Sequence, residues 1–202
     1  MMKSCKNIIL AVLVSLFSWP LIGLADNVSD STNTKAVANA SIENALPLYS
    51  KVYDPKRDPF QDAKDAIKLA NESERNVLIE IGGDWCTWCH KIDAFLAANP
   101  DIYKQLHDTF VLLKINVSDV NENADFMAGF PKVLGYPHMY VSTGQGKVIL
   151  SKDTAEFLDN SGVAYSREAW LEFIDTFNAE NNKTNLRKFE IDKLTQRQGD
   201  QG

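Results

Sequence analysis

Cysteine and histidine are both scarce in this 202-residue chain, with three of each. One cysteine, Cys5, stands at the extreme N-terminus, so the body of the chain holds only Cys86 and Cys89. A single bridge between positions three apart constrains almost none of the unfolded chain, which excludes a disulfide-stapled scaffold. Positive charge is also in deficit: 21 Lys and Arg against 27 Asp and Glu give a formal charge of -6. That balance argues against nucleic acid or an anionic membrane surface as partner. Long apolar runs are missing except between Ile8 and Leu24, and that run is broken by Ser15, Ser18, Pro20 and Gly23. It is short for a bilayer span. There is no internal repeat.

What is present begins with Lys3 and Lys6 ahead of that apolar run and Gly23-Leu24-Ala25 after it. A basic start, an apolar centre and small residues at the end form a secretory signal, so residues 1–25 are expected to be removed after Ala25. A retained membrane anchor is the competing reading. Cleavage would take Cys5 with it, and no cysteine follows the run where a bacterial lipoprotein would be acylated. The remainder is long enough for one domain with a proper core. Residues 26–50 are rich in Ser, Asn, Thr, Asp and Ala and read as a polar flexible segment; 181–202 read as a polar tail; 51–180 form the domain.

Within the domain, Asp58-Pro59 opens a stretch in which Phe60, Ala63, Ile67 and Ala70 recur at helical spacing. Val77 to Ile81 is a near-continuous apolar run of strand length, ended by Gly82-Gly83. Ile92, Phe95 and Leu96 mark a helix that Asn99-Pro100 interrupts before Ile102, Tyr103 and Leu106 resume it. Phe110 to Val117 is a second buried strand, and a helix between two such strands implies a parallel right-handed crossover. A short helix is expected around 124–130. The segments 137–141 and 147–150, joined by Ser142-Thr143-Gly144-Gln145-Gly146, read as an antiparallel hairpin. Ser166 caps a last amphipathic helix carrying Trp170, Phe173, Ile174 and Phe177.

Directly after the first strand's turn comes Cys86-Thr87-Trp88-Cys89-His90. Two thiols at this spacing close a small ring reversibly, and a cysteine in the first turn of a helix has its thiolate favoured by free N–H groups and the helix dipole. The same residues also spell C-x-x-C-H, the attachment signature of c-type haem, with His90 as one axial ligand and Met127 or Met139 as a second. A zinc site would need Cys86, Cys89, His90 and His138 to converge.

From Asn76 to Phe177 the order of elements, together with Trp85-Cys86-Thr87-Trp88-Cys89 and Gly135-Tyr136-Pro137-His138, resembles the thioredoxin superfamily. The resemblance implies an α/β thioredoxin fold: a central mixed sheet, with parallel core strands and a C-terminal antiparallel hairpin, flanked by helices. It implies that Cys86 attacks a substrate disulfide and Cys89 resolves the mixed disulfide, with no cofactor. Glu80 stands where that family has its buried acid, a proton relay for Cys89, and Lys114 where it has the lysine paired with that acid. Pro137 matches the cis-proline, which would leave the backbone of Tyr136 free to pair with an extended substrate. Trp85, Trp88, Tyr136 and His138 are expected to contact substrate, and His90 to tune the thiols. His107, on a helix away from the motif, is expected at the surface.

The resemblance further implies a periplasmic thiol–disulfide oxidoreductase acting on cysteine-containing proteins, recharged by a membrane thiol–disulfide relay and touching the membrane only through its signal peptide. The dipeptide Thr87-Trp88 departs from the Gly-Pro of the reducing thioredoxins and from the Pro-His of the strong periplasmic oxidant. Disulfide reduction is the expected direction, because the acid and lysine resemble the reducing branch; oxidation or isomerisation stays open. So does a redox-inactive module that holds peptides on its tryptophan-rich surface.

Overall fold

In the computed structural model, residues 37, 39–178 and 181 are described. Residues 39–45 form a helix, α1, followed by a 3-10 turn at Leu48–Ser50. The helices α2 (Pro59–Glu72), α3 (Thr87–Ala98), α4 (Pro100–Thr109), α5 (Ala124–Met127) and α6 (Arg167–Thr176) surround four strands. These are β1 (Asn76–Gly82), β2 (Phe110–Asn116), β3 (His138–Ser142) and β4 (Val148–Asp153), in the order β2-β1-β3-β4. β1 pairs parallel with β2, and antiparallel with β3, which pairs antiparallel with β4. This is the mixed sheet of the thioredoxin fold, with the hairpin on one side and the parallel pair on the other.

Every residue of β1, β2 and β3 is buried, as near-continuous apolar runs require of strands covered on both faces. Alternation along the strands then divides the core in two. Leu78, Leu112, Met139 and Val141 face α3, α4 and α6, where they meet Ile92, Leu106, Trp170 and Phe173. Val77, Ile79, Val111, Leu113 and Tyr140 face α2 and Phe126. Glu80 and Lys114 are the charged residues that β1 and β2 place on the first face, opposite each other in register.

Local chemistry sets the helix ends. Asp58 accepts hydrogen bonds from the N–H groups of Phe60 and Gln61, with Pro59 in the first turn of α2. Ser166 accepts from the Ala169 N–H at the start of α6. Asn99 closes α3 and Pro100 opens α4, so the interruption is a full break into two helices. The hairpin strands are longer than their apolar runs, β4 reaching Asp153, and a bulge lies at Val141/Ser142.

The N-terminal segment departs from expectation. Residues 39–50, read as part of a polar flexible stretch, are packed on the domain: Tyr49 is buried in the second core, and Ser50 Oγ donates to the Leu112 carbonyl at 2.6 Å. Composition hid this because two buried side chains suffice to anchor a polar strap. The expected signal peptide and nearly all of the expected tail, 181–202, lie outside the described residues.

Candidate active site

β1 delivers the chain through Gly82 and Gly83 to Cys86, which caps α3. Cys86 and Cys89 are joined as a disulfide with Cα atoms 5.2 Å apart. The Cys89 N–H points at Cys86 Sγ, 3.1 Å away, and the first turn of the helix converges on the same sulfur. Negative charge on Cys86 is stabilised by that donor and by the helix dipole, so Cys86 is the better thiolate of the pair. Cys89 is fully buried whereas 3 % of Cys86 reaches solvent. A Cβ built on Gly82 would stand 2.5 Å from Cys89 Sγ, so glycine is what lets strand and sulfur approach.

Beneath the disulfide lies a charged cluster. Glu80 is buried, and burial raises its pKa against the lowering influence of Lys114. Its Oε1 accepts a 2.5 Å hydrogen bond from the hydroxyl of Tyr53. Lys114 directs its ammonium to Asp93 Oδ1, 2.6 Å away, rather than to Glu80. The expected direct pairing of Glu80 with Lys114 is therefore corrected: the two are register neighbours that feel each other's charge, while Asp93 takes the contact. Burial alone would lower the Lys114 pKa, but Glu80 and Asp93 outweigh it and keep the lysine cationic. Asp93 and Tyr53 went unread in the sequence. Asp93 had a signal, since it falls one helical turn after Cys89; Tyr53 had none.

Around the sulfurs the surface is aromatic. Trp85 is exposed, donates its indole N–H to the Val117 carbonyl at 2.7 Å, and meets Tyr136 edge-on at 5.2 Å. The Tyr136–Pro137 peptide bond is cis. Trp88 packs against Tyr165 on one side and carries Lys91 over its ring at 3.6 Å. Two hollows flank this rim. One of about 270 Å³ lies between Trp88, Tyr136, Pro137, Thr154, Leu158 and Tyr165. The other, about 890 Å³, opens on the far side of Trp85 and Tyr136 toward Val120, Met127, Phe130 and Val133. The Lys152 to Tyr165 stretch thus supplies one wall of the smaller hollow.

The histidines divide. His90 is exposed beside the motif, its Nε2 2.7 Å from the Asp84 carbonyl oxygen. His138 is corrected: it is buried in β3, its Nε2 2.9 Å from Ser151 Oγ, and so offers no surface to a substrate. Its pKa is lowered by burial. His107 is corrected too, being 5 % exposed and packed edge-on against Tyr103. The haem arrangement loses its second ligand in this geometry, since Met139 is in the first core and Met127 packs on the second, across the sheet. Among the described residues no three His, Cys, Asp or Glu side chains are grouped to hold a metal ion.

A sheet of this order with a cysteine pair at the N-terminus of α3 defines a thioredoxin-like domain of the thiol–disulfide oxidoreductase class. Residues 58–142 match the family model described as thioredoxin-like. It is 28 % identical over 91 residues to the thiol:disulfide interchange protein DsbD of Photorhabdus laumondii, and 26 % identical over 97 residues to that of Colwellia psychrerythraea. The matches cover 45 % and 47 % of this chain and 16 % of each relative, so the chain spans about a sixth of the length of those proteins. Among solved structures, a disulphide isomerase from Xylella fastidiosa Temecula1 superposes with a TM-score of 0.53 at 22 % identity. That match covers 65 % of this chain and 95 % of the other, and it shows the fold.

Proposed function

We propose that this protein is a periplasmic disulfide reductase that acts on cysteine-containing proteins through a mixed disulfide at Cys86. The observation that carries the reading is the placement of Cys86 at the N-terminal end of α3, with the cysteine pair packed on Tyr53, whose hydroxyl donates to the buried carboxyl group of Glu80. In the reduced protein the Cys86 thiolate attacks a substrate disulfide; one substrate sulfur leaves as thiolate and the other stays bonded to Cys86. Cys89 then gives its proton to Glu80 and attacks Cys86 Sγ. The second substrate thiolate departs, leaving the Cys86–Cys89 disulfide and two reduced sulfurs on the substrate.

Glu80 suits the proton transfer because its raised pKa makes it a stronger base than an exposed carboxylate. Lys114 and Asp93 keep charge balanced around it. Tyr136 and Pro137 line the smaller hollow together with Trp88, and an extended peptide entering there can pair with the Tyr136 backbone. Trp85, Trp88 and Tyr136 give apolar contact on either side, and His90 sits close enough to the first turn to tune the thiolate. The direction is supported by the acid and lysine beneath the sulfurs. The next round needs a thiol donor, for which a membrane thiol–disulfide relay is the fitting class; the relatives named DsbD are thiol:disulfide interchange proteins. The apolar N-terminal run supports export.

Replacing Cys86 by serine abolishes turnover, whereas Cys89→Ser accumulates a covalent, reductant-sensitive complex with substrate protein, read on a non-reducing gel. A Cys89→Ser protein that traps nothing would contradict the assigned roles.

A further inference from the structure

Tyr53 occupies a position that the thiol–disulfide reading leaves unused. It comes from the strap between the Leu48–Ser50 turn and α2, ahead of the family-matched stretch 58–142. Its ring is buried against Cys86 and Cys89, and Lys114 Nζ lies 4.9 Å from the ring centroid. Its hydroxyl donates to Glu80 at 2.5 Å. A Cβ on Gly82 would come within 3.0 Å of that hydroxyl and 2.5 Å of Cys89 Sγ, so hydroxyl and sulfur share the one hollow that glycine leaves open.

We propose that Tyr53 is a positioning residue for the resolving step: its hydroxyl fixes the Glu80 carboxylate beside Cys89 Sγ and carries the thiol proton across to it. The transfer balances without a further reactant. Cys89 S–H gives its proton to the tyrosine oxygen as the tyrosine O–H proton passes to Glu80. Glu80 ends protonated, Tyr53 unchanged, and the Cys89 thiolate free to close on Cys86 Sγ. A phenol suits this task, because burial and the Glu80 charge hold its own pKa well above the usual range and it stays a donor. Besides Tyr53, the groups that act on Glu80 are Lys114 from β2, Asp93 from α3, and Tyr165 ahead of α6. Met139, its register partner on β3, is apolar.

This inference rests on the thiol–disulfide reading, and Tyr53→Phe separates the two. Phenylalanine keeps the ring against the sulfurs and beneath Lys114 and removes only the hydroxyl. With oxidised glutathione as probe, stopped-flow tryptophan fluorescence resolves second-order attack by Cys86 from the first-order release of the second glutathione. In Tyr53→Phe the release is expected to fall at least about tenfold near neutral pH, as loss of an acid–base contribution requires. Its pH inflection moves upward, because the Glu80 carboxylate has lost a hydrogen bond that favoured it. Attack stays within about twofold, Cys86 being activated by the helix end instead. Adding Glu80→Gln to Tyr53→Phe causes no slowing beyond Glu80→Gln alone. A Tyr53→Phe protein with the wild-type release rate and pH profile, or with its full slowing retained in the Glu80→Gln background, would overturn the inference alone. A wild-type protein inert toward glutathione would overturn the thiol–disulfide reading together with it.

Discussion

Glu80 is an acid placed in the middle of an apolar strand, and its neighbours determine what that placement does. The strand alternation puts it on the face of α3, under Cys89, where water is excluded and its charged form is disfavoured. Tyr53, Lys114 and Asp93 offset that cost without removing it. The acid and the lysine were legible from the sequence, because a charge interrupting a buried strand is conspicuous. Their companions were not, because Tyr53 is separated from Glu80 by 27 positions and its only local context is a polar strap. His107 shows the same limit. It follows Leu106 on α4 and looked like a surface residue, but Glu43 of α1 and Arg75 cover that side. Burial pushes its pKa from 6.5 down to about 4. The unfolded chain therefore binds the proton first, and stability conferred by the neutral ring is present above pH 6.5 and lost as pH falls toward 4. Over that window the wild-type protein should lose up to about 3 kcal/mol from this group. His107→Gln should flatten the slope in urea melts taken between pH 7 and pH 4; an unchanged slope would show that another group carries it.

At the scale of elements, the sheet and its helices followed from hydrophobic period, turn residues and caps. β1 and β2 are apolar runs each interrupted by one charge, α6 begins at its serine, and the hairpin turns at its glycines. What period could not reveal was the strap from α1 to Tyr53, in which no apolar repeat exists and the anchoring is done by single residues. Tyr49 fills the second core beside Ala66 and Ala70. Truncating it removes a buried ring and leaves a void against α2, so Tyr49→Ala should lower the denaturation free energy by about 3 kcal/mol. It should also loosen Tyr53 downstream, visible as faster amide exchange over residues 48–57. A Tyr49→Ala protein as stable as wild type would mean the strap is an ornament rather than part of the domain.

At the scale of the molecule, the matched family stretch covers α2 to the end of β3, and the described chain continues on both sides of it. The strap before it reaches the buried acid from below; the 152–165 segment after it walls the smaller hollow beside the Tyr136–Pro137 loop. Both flanking segments act on the same cysteine pair, one on its protons and the other on what can approach it. No helix among the described residues is long and apolar enough to cross a membrane. The central claim is that Cys86 and Cys89 cycle between dithiol and disulfide as the working group of this domain. An equilibrium titration of the pair across a series of thiol–disulfide buffers, with free thiols trapped by alkylation, tests it most directly. The account predicts one reversible two-electron couple, lying nearer the reducing thioredoxins at about -270 mV than the strong oxidants at about -120 mV. A pair that shows no reversible couple at any buffer potential would contradict it.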